Sequence, residues 1–193
     1  MGKTAKSESA MKKESRQLLL QIARNAIFQR LENQGNTVPD IGTLPDELCQ
    51  RRATFVTLTI HGRLRGCIGM LEACRPLAED VAANACAAAF EDPRFPPLTE
   101  KEFEKLEIHI SVLSPPAELS FSSEADLLNQ IRPGVDGLIL QDGFRRGTFL
   151  PSVWDELPEK QIFWRHLKLK AGLPTDHWSD TLRVFRYTTE YFS

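Results

Sequence analysis

The sequence holds no cysteine pattern suited to metal or disulfide-exchange chemistry. Its four cysteines, Cys49, Cys67, Cys74 and Cys86, show no Cys-x-x-Cys spacing, which removes zinc-knuckle and thioredoxin-like motifs. Its four histidines, His61, His109, His166 and His177, make neither His-x-x-x-His nor His-Glu-x-x-His, so no metal site is expected. Walker loop, dinucleotide fingerprint and Gly-x-Ser-x-Gly elbow are all missing, and no cofactor is expected. No apolar run approaches the roughly 20 residues that cross a bilayer. Met1 to Ser9 is polar, without a hydrophobic signal segment. Gly2 follows Met1, but Lys6 stands where a myristoylation signal needs Ser or Thr. These absences predict a cytoplasmic protein with reduced thiols and no membrane partner. A basic excess is also lacking. The 24 Lys and Arg against 26 Asp and Glu give a net charge of −2. That argues against general nucleic-acid binding and leaves RNA as a minor alternative.

What is present fits an ordinary soluble chain. A length of 193 residues allows one good core or two small subdomains. Residues 1–9 read as a disordered leader and 10–193 as the folded domain. Leu18, Leu19, Ile22, Ala26, Ile27 and Leu31 keep helical spacing, which predicts a helix over about 10–33, ended by Gly35 and Asn36. Strands are expected at about 53–60, 63–69 and 106–113, with a helix from Pro76 to about Glu91 and a Thr99/Glu102 capping box. A second half repeats the grammar: a strand at 137–142, a glycine turn into another strand, a helix over 159–171, and a last strand from Leu182 to Phe192. Each half carries a Gly-x-x-Arg-Gly corner, at Gly62–Gly66 and Gly143–Gly147. The expected fold is α+β, with an extra N-terminal helix and two related antiparallel sheet-and-helix halves, roughly 50–115 and 135–193. The halves read as an internal duplication, against the alternative that glycine-cornered hairpins are simply common.

Chemistry concentrates at Gly62-Arg63-Leu64-Arg65-Gly66-Cys67-Ile68-Gly69. Repeated glycine in a strand signals a bulge or a close approach to the backbone. Strand alternation puts Arg65 and Cys67 on one face, where a guanidinium favours a thiolate. The competing reading is a tight hairpin with Cys67 buried as a small hydrophobe. Asn84 lies in a helix of small residues. It either holds a ligand or hydrogen-bonds the neighbouring strand. Asp92-Pro93-Arg94 is a stiff loop that either projects Arg94 toward an anion or braces the helix end. His109, with Glu107 beside it, is a candidate general base on a strand that alternates like a half-solvated one.

Together these residues resemble a known family. Leu64-Arg65-Gly66-Cys67-Ile68-Gly69 is similar to the hallmark hexapeptide of the AMMECR domain, called AmmeMemoRadiSam system protein A in prokaryotes. The similarity continues through Asp92-Pro93-Arg94-Phe95, Ser111-Val112-Leu113-Ser114, Gly134 with Gly137-Leu138, Leu150-Pro151 and Lys170-Ala171-Gly172-Leu173. One departure is Ser152, where the family often has Gln after Leu-Pro. The resemblance implies an α+β fold of two related halves and the company of a Memo-type protein and a radical S-adenosylmethionine enzyme. It brings no settled reaction. It directs attention to Arg65 and Cys67 as candidate catalytic residues, and to Gly66, Gly69, Asn84, Asp92 and Arg94 as candidate ligand-binding ones. Two kinds of function stay open: an enzyme with a Cys67 nucleophile, or a binding module in which Cys67 packs.

Overall fold

In the computed structural model, which describes residues 11–32 and 39–193, apolar spacing decides the first element. Leu19, Ala23 and Ile27 recur about one helical turn apart and are fully buried. They form the inward stripe of α1 (Lys13–Leu31). The expected leader and the expected helix end at Gly35 and Asn36 lie outside the described residues. A 3₁₀ turn (Ile41–Thr43) and a short α2 (Asp46–Cys49) follow. Next come β1 (Thr54–Ile60) and β2 (Arg63–Gly69), an antiparallel hairpin. Its two-residue corner has positive φ at both His61 (51°) and Gly62 (72°), the I′-like geometry that suits strand twist.

Next are α3 (Leu77–Phe90), α4 (Glu100–Phe103) and β3 (Leu106–Leu113). The Thr99/Glu102 capping box opens α4 as expected. The chain continues through β4 (Ala117–Glu118), α5 (Glu124–Gln130), β5 (Gly137–Asp142), β6 (Arg145–Phe149), a 3₁₀ turn (Pro151–Asp155), α6 (Lys160–Lys170), β7 (Arg183–Tyr187) and β8 (Thr189–Phe192). The strands form two four-stranded sheets, ordered β2-β1-β3-β8 and β4-β7-β5-β6. The fold is therefore α+β with an N-terminal helix. No helix among the described residues is long and apolar enough to cross a membrane.

The run from Leu182 to Phe192 is not one strand. β7 belongs to the second sheet and β8 to the first. In chain order β3 leads to β4, an edge strand of the second sheet, and β7 leads to β8, an edge strand of the first. Two compact units result. One holds the residues up to Val112 with Glu190–Ser193, and the other holds Leu113–Thr189.

In the first unit Val56, Leu58, Ile108 and Ile110 share a core with Ala78, Val81, Ala85, Ala88 and Ala89 of α3. The small residues explain themselves at Gly66, where an added Cβ would stand 2.0 Å from the Ala88 carbonyl oxygen. The helix backbone rests directly on the strand. In the second unit Leu138, Leu140 and Val184 pack with Phe163, Trp164 and Leu167, and Trp154 stacks on Phe163 with centroids 3.7 Å apart. Gly147 repeats the close approach there, 2.8 Å from the Ala171 nitrogen. The two hairpins differ by one residue. Ile60 pairs with Arg63 and Asp142 with Arg145, so the corners are His61–Gly62 and Gly143–Phe144. The Gly-x-x-Arg-Gly match of the sequence is thus offset by one position, and β2 carries the extra residue as a bulge.

Candidate functional site

The bulge falls at Arg65. Leu58 pairs with Gly66 and Thr59 with Leu64, which leaves Arg65 without a partner on β1. Such an insertion re-aims a side chain and interrupts alternation, so the shared face expected for Arg65 and Cys67 does not follow from their spacing. Arg65 is buried, 7% exposed. Its Nε and Nη2 donate to Glu102 at 2.8 and 3.2 Å, and Nη2 donates to the Pro96 carbonyl at 2.8 Å. Nη1 is buried without a hydrogen-bond partner. The Arg65 hydrogen bonds, followed by those from Thr99, pull the Glu102 carboxyl down to about 2 against the opposing cost of burial.

Cys67 is half-buried and sits opposite Thr57, with its Sγ 3.1 Å from Thr57 Oγ1. β2 is an outermost strand, and its backbone edge is met by the Asp92–Arg94 loop. The Cys67 N–H donates to Asp92 Oδ2 at 2.9 Å, and Arg94 Nη2 donates to the Cys67 carbonyl at 3.3 Å. One residue pair satisfies both backbone groups, as a further strand would. Arg94 also donates to both Asp92 oxygens, at 2.9 and 2.6 Å. The Arg94 guanidinium, and after it the Cys67 N–H, hold the Asp92 carboxyl well below the usual carboxylate range. The arginine that reaches Cys67 is therefore Arg94.

Thr57 pairs on its other side with His109, so Cys67, Thr57 and His109 lie in one row across three strands. Val56 and Leu58, the alternate positions, face the core, which puts this row on the opposite, open face. His109 Nδ1 lies 2.6 Å from the Tyr191 hydroxyl, and the rings stack at 5.7 Å. His109 Nε2 lies 3.1 Å from Thr59 Oγ1, which donates to Glu107 at 2.8 Å. Two strand spacings separate Cys67 from His109 by about 10 Å. That is too far for direct proton transfer from the thiol, and a suitable span for touching two ends of one small molecule. Tyr191 was not singled out from the sequence. Its signal was the alternation of the last strand, which carries no mark that the strand joins the first sheet.

The remaining candidates lie elsewhere in the first unit. Gly69 is crowded by the Phe55 ring and the Thr54 carbonyl, each 2.4 Å from an added Cβ. Asn84 Nδ2 donates to Thr54 O and Oγ1, at 3.2 and 3.0 Å, and to Asp80 Oδ2 at 2.9 Å. Burial pushes the Asp80 carboxyl up, opposed by hydrogen bonds from Thr54 and by Arg75. Asn84 thus anchors the start of β1, while Arg65, Cys67, Asp92 and Arg94 gather along β2. None of the four cysteines is in a disulfide. No group of His, Cys, Asp and Glu among the described residues has metal-binding geometry.

Residues 20–192 match the family model AMMECR1. The chain belongs to the AMMECR1 family. A Methanothermobacter thermautotrophicus protein is 43% identical over 177 residues, covering 90% of this chain and 91% of that one. A Thermotoga maritima protein is 38% identical over 170 residues, covering 86% and 92%. The crystal structure of uncharacterized protein PH0010 from Pyrococcus horikoshii superposes with a TM-score of 0.80 at 34% identity, covering 94% of this chain and 92% of that one. The AMMECR1 match spans β2, the Asp92–Arg94 loop and both sheets, so the whole candidate site lies within the family domain.

Proposed function

We propose that this AMMECR1-family protein binds a small ligand on the open face of its first sheet. It does so in a pathway shared with a Memo-type protein and a radical S-adenosylmethionine enzyme. The observation that carries the reading is the row Cys67–Thr57–His109, completed by Tyr191 and closed at the β2 edge by Asp92 and Arg94. Strand-borne groups locked by cross-strand hydrogen bonds are the rigid presentation a binding site needs. The Cys67 thiol and the His109–Tyr191 pair contact opposite ends of the ligand. Binding is favoured over thiol catalysis because each nearby arginine already has a carboxylate: Arg65 has Glu102 and Arg94 has Asp92. Among the described residues, no arginine in contact with Cys67 lacks a carboxylate partner. The proposed partners rest on the family resemblance alone.

A second reading, an enzyme with Cys67 as nucleophile, draws on Arg94. Its guanidinium, held charged by the Asp92 hydrogen bonds, donates to the Cys67 carbonyl and so stands next to the thiol-bearing residue. Alkylation of the folded protein by iodoacetamide, followed by mass spectrometry across pH, separates the readings. Binding predicts that Cys67 reacts at a rate close to that of exposed Cys74, while buried Cys86 stays protected. A Cys67 rate far above that of Cys74 at neutral pH selects the nucleophile. Protection of Cys67 until unfolding removes the open-face site. The partner arm is tested by size-exclusion chromatography with the candidate partners at micromolar concentration, where separate elution counts against association.

A further inference from the structure

A cavity of about 550 Å³ lies at the β1–β2 corner, lined by Ile60, His61, Arg63, Leu64, Arg65 and Glu102. Its size is that of a small-ligand site. None of the Cys67–Thr57–His109 row lines it, so a ligand held here is independent of the open-face reading. We propose that this cavity binds a monocarboxylate carried on an apolar skeleton. Arg63 and Arg65 take the carboxylate, and Ile60 and Leu64 take the skeleton.

Three observations support this. The first is Arg65. It is more than nine-tenths buried, it lines the cavity, and its Nη1 has no hydrogen-bond partner. A buried, charged donor left unpaired is costly, and a ligand carboxylate is the acceptor that would offset that cost. The second is charge. Glu102 neutralises one of the two arginines. Arg63 is exposed and makes no ion pair among the described residues. One positive charge therefore remains unmatched, which suits a single carboxylate better than a dianionic phosphate. Planar guanidinium groups also match carboxylate geometry. The third is the apolar wall. Leu64 is 46% exposed, and half-buried Ile60 lines the same cavity. The bulge lies where exposed Leu64 gives way to buried Arg65.

The test is a ¹H–¹⁵N NMR titration of the full chain with sodium hexanoate, with hexan-1-ol as the uncharged probe. Saturable shifts are expected at the amides of residues 60–65 and Glu102 with hexanoate and not with hexanol. Arg63→Ala, at an exposed site whose fold the same spectrum checks, is expected to weaken hexanoate binding by at least about tenfold. Leu64→Ser is expected to weaken hexanoate more than acetate. The tripeptide Ala-Leu-Ile as free acid, compared with its C-terminal amide, distinguishes the source. If the acid binds at least tenfold more tightly than hexanoate and the amide does not bind, the ligand is a peptide C-terminus. Hexanoate binding as tight as the peptide assigns a free acid. No saturable shift with either carboxylate, equal shifts with hexanol, or unchanged affinity in Arg63→Ala each overturns the proposal.

Discussion

Gly66→Ala tests whether α3 truly rests its backbone on β2. The added methyl carbon would stand 2.0 Å from the Ala88 carbonyl oxygen and 3.0 Å from its carbonyl carbon. A carbon and an oxygen in comfortable contact are at least about 3.3 Å apart, so strand and helix must separate by roughly an ångström. Neither side can yield by a rotamer change, since the obstacle is a backbone carbonyl in the last turn of α3, where Ala88 and Ala89 are buried. Overpacking of this kind costs about 1–3 kcal/mol, occasionally more, and a backbone obstacle belongs at the upper end. For a chain of this size each kcal/mol lowers Tm by about 2–4 °C, which predicts a loss of roughly 6–12 °C by calorimetry or circular dichroism. Gly147→Ala supplies the internal comparison. Its Cβ would meet the Ala171 nitrogen at 2.8 Å and the Ala171 Cβ at 2.9 Å, a smaller overlap at a helix end, with an expected loss of only about 2–4 °C. A Gly66→Ala protein that melts within about 2 °C of wild type, or one more stable than Gly147→Ala, would refute the reasoning.

Two further predictions concern pH. Glu102 is held ionised by Arg65 with its carboxyl at about 2, against an ordinary 4.5. Its stabilising contribution is therefore complete above about 4.5 and is lost as pH falls toward 2. The urea midpoint of Glu102→Gln should be lower than wild type at pH 7, with a smaller drop between pH 7 and pH 3. An equal drop in both proteins contradicts the pairing. Tyr187 is buried and its phenol is pushed up to about 12. The fold favours the neutral form, so this contribution is present below about pH 10 and lost as pH rises toward 12. In Tyr191→Phe protein, where Tyr187 is the sole tyrosine, the phenolate absorbance should rise only near pH 12. A rise centred near 10 in the folded protein would show that Tyr187 is solvated.

Local grammar was readable from the sequence. Apolar spacing located α1, the glycine corner located the first hairpin, and Thr99 with Glu102 announced the start of α4. Each of these signals is carried by residues within one or two turns of one another. Long-range partners left no such trace. Glu102 is the capping-box residue of α4 and also the counter-ion of Arg65, 37 positions earlier, and only the fold joins the two roles. The bulge was hinted at by repeated glycine, yet its position at Arg65 depends on the register with β1. Strand alternation therefore paired Arg65 with Cys67, whereas the chain brings Arg94 to Cys67 instead. The run from Leu182 to Phe192 reads as a single strand because β-propensity does not record a change of sheet. Thr188, where the change occurs, is held by reciprocal hydrogen bonds with Ser114.

That change of sheet has a consequence for the order in which the site comes into being. The first unit is not one continuous stretch, since one of its edge strands, β8, is completed only after the chain has passed through Leu113–Thr189. A nascent chain that has completed β1, β2 and β3 already owns Cys67, Thr57 and His109. Tyr191, whose hydroxyl meets His109 Nδ1 at 2.6 Å, arrives later, on β8. The histidine therefore gains its partner last, and any chain interrupted before residue 190 holds the thiol and the imidazole without the phenol. The assembled row is in this sense a certificate that translation has passed through both units.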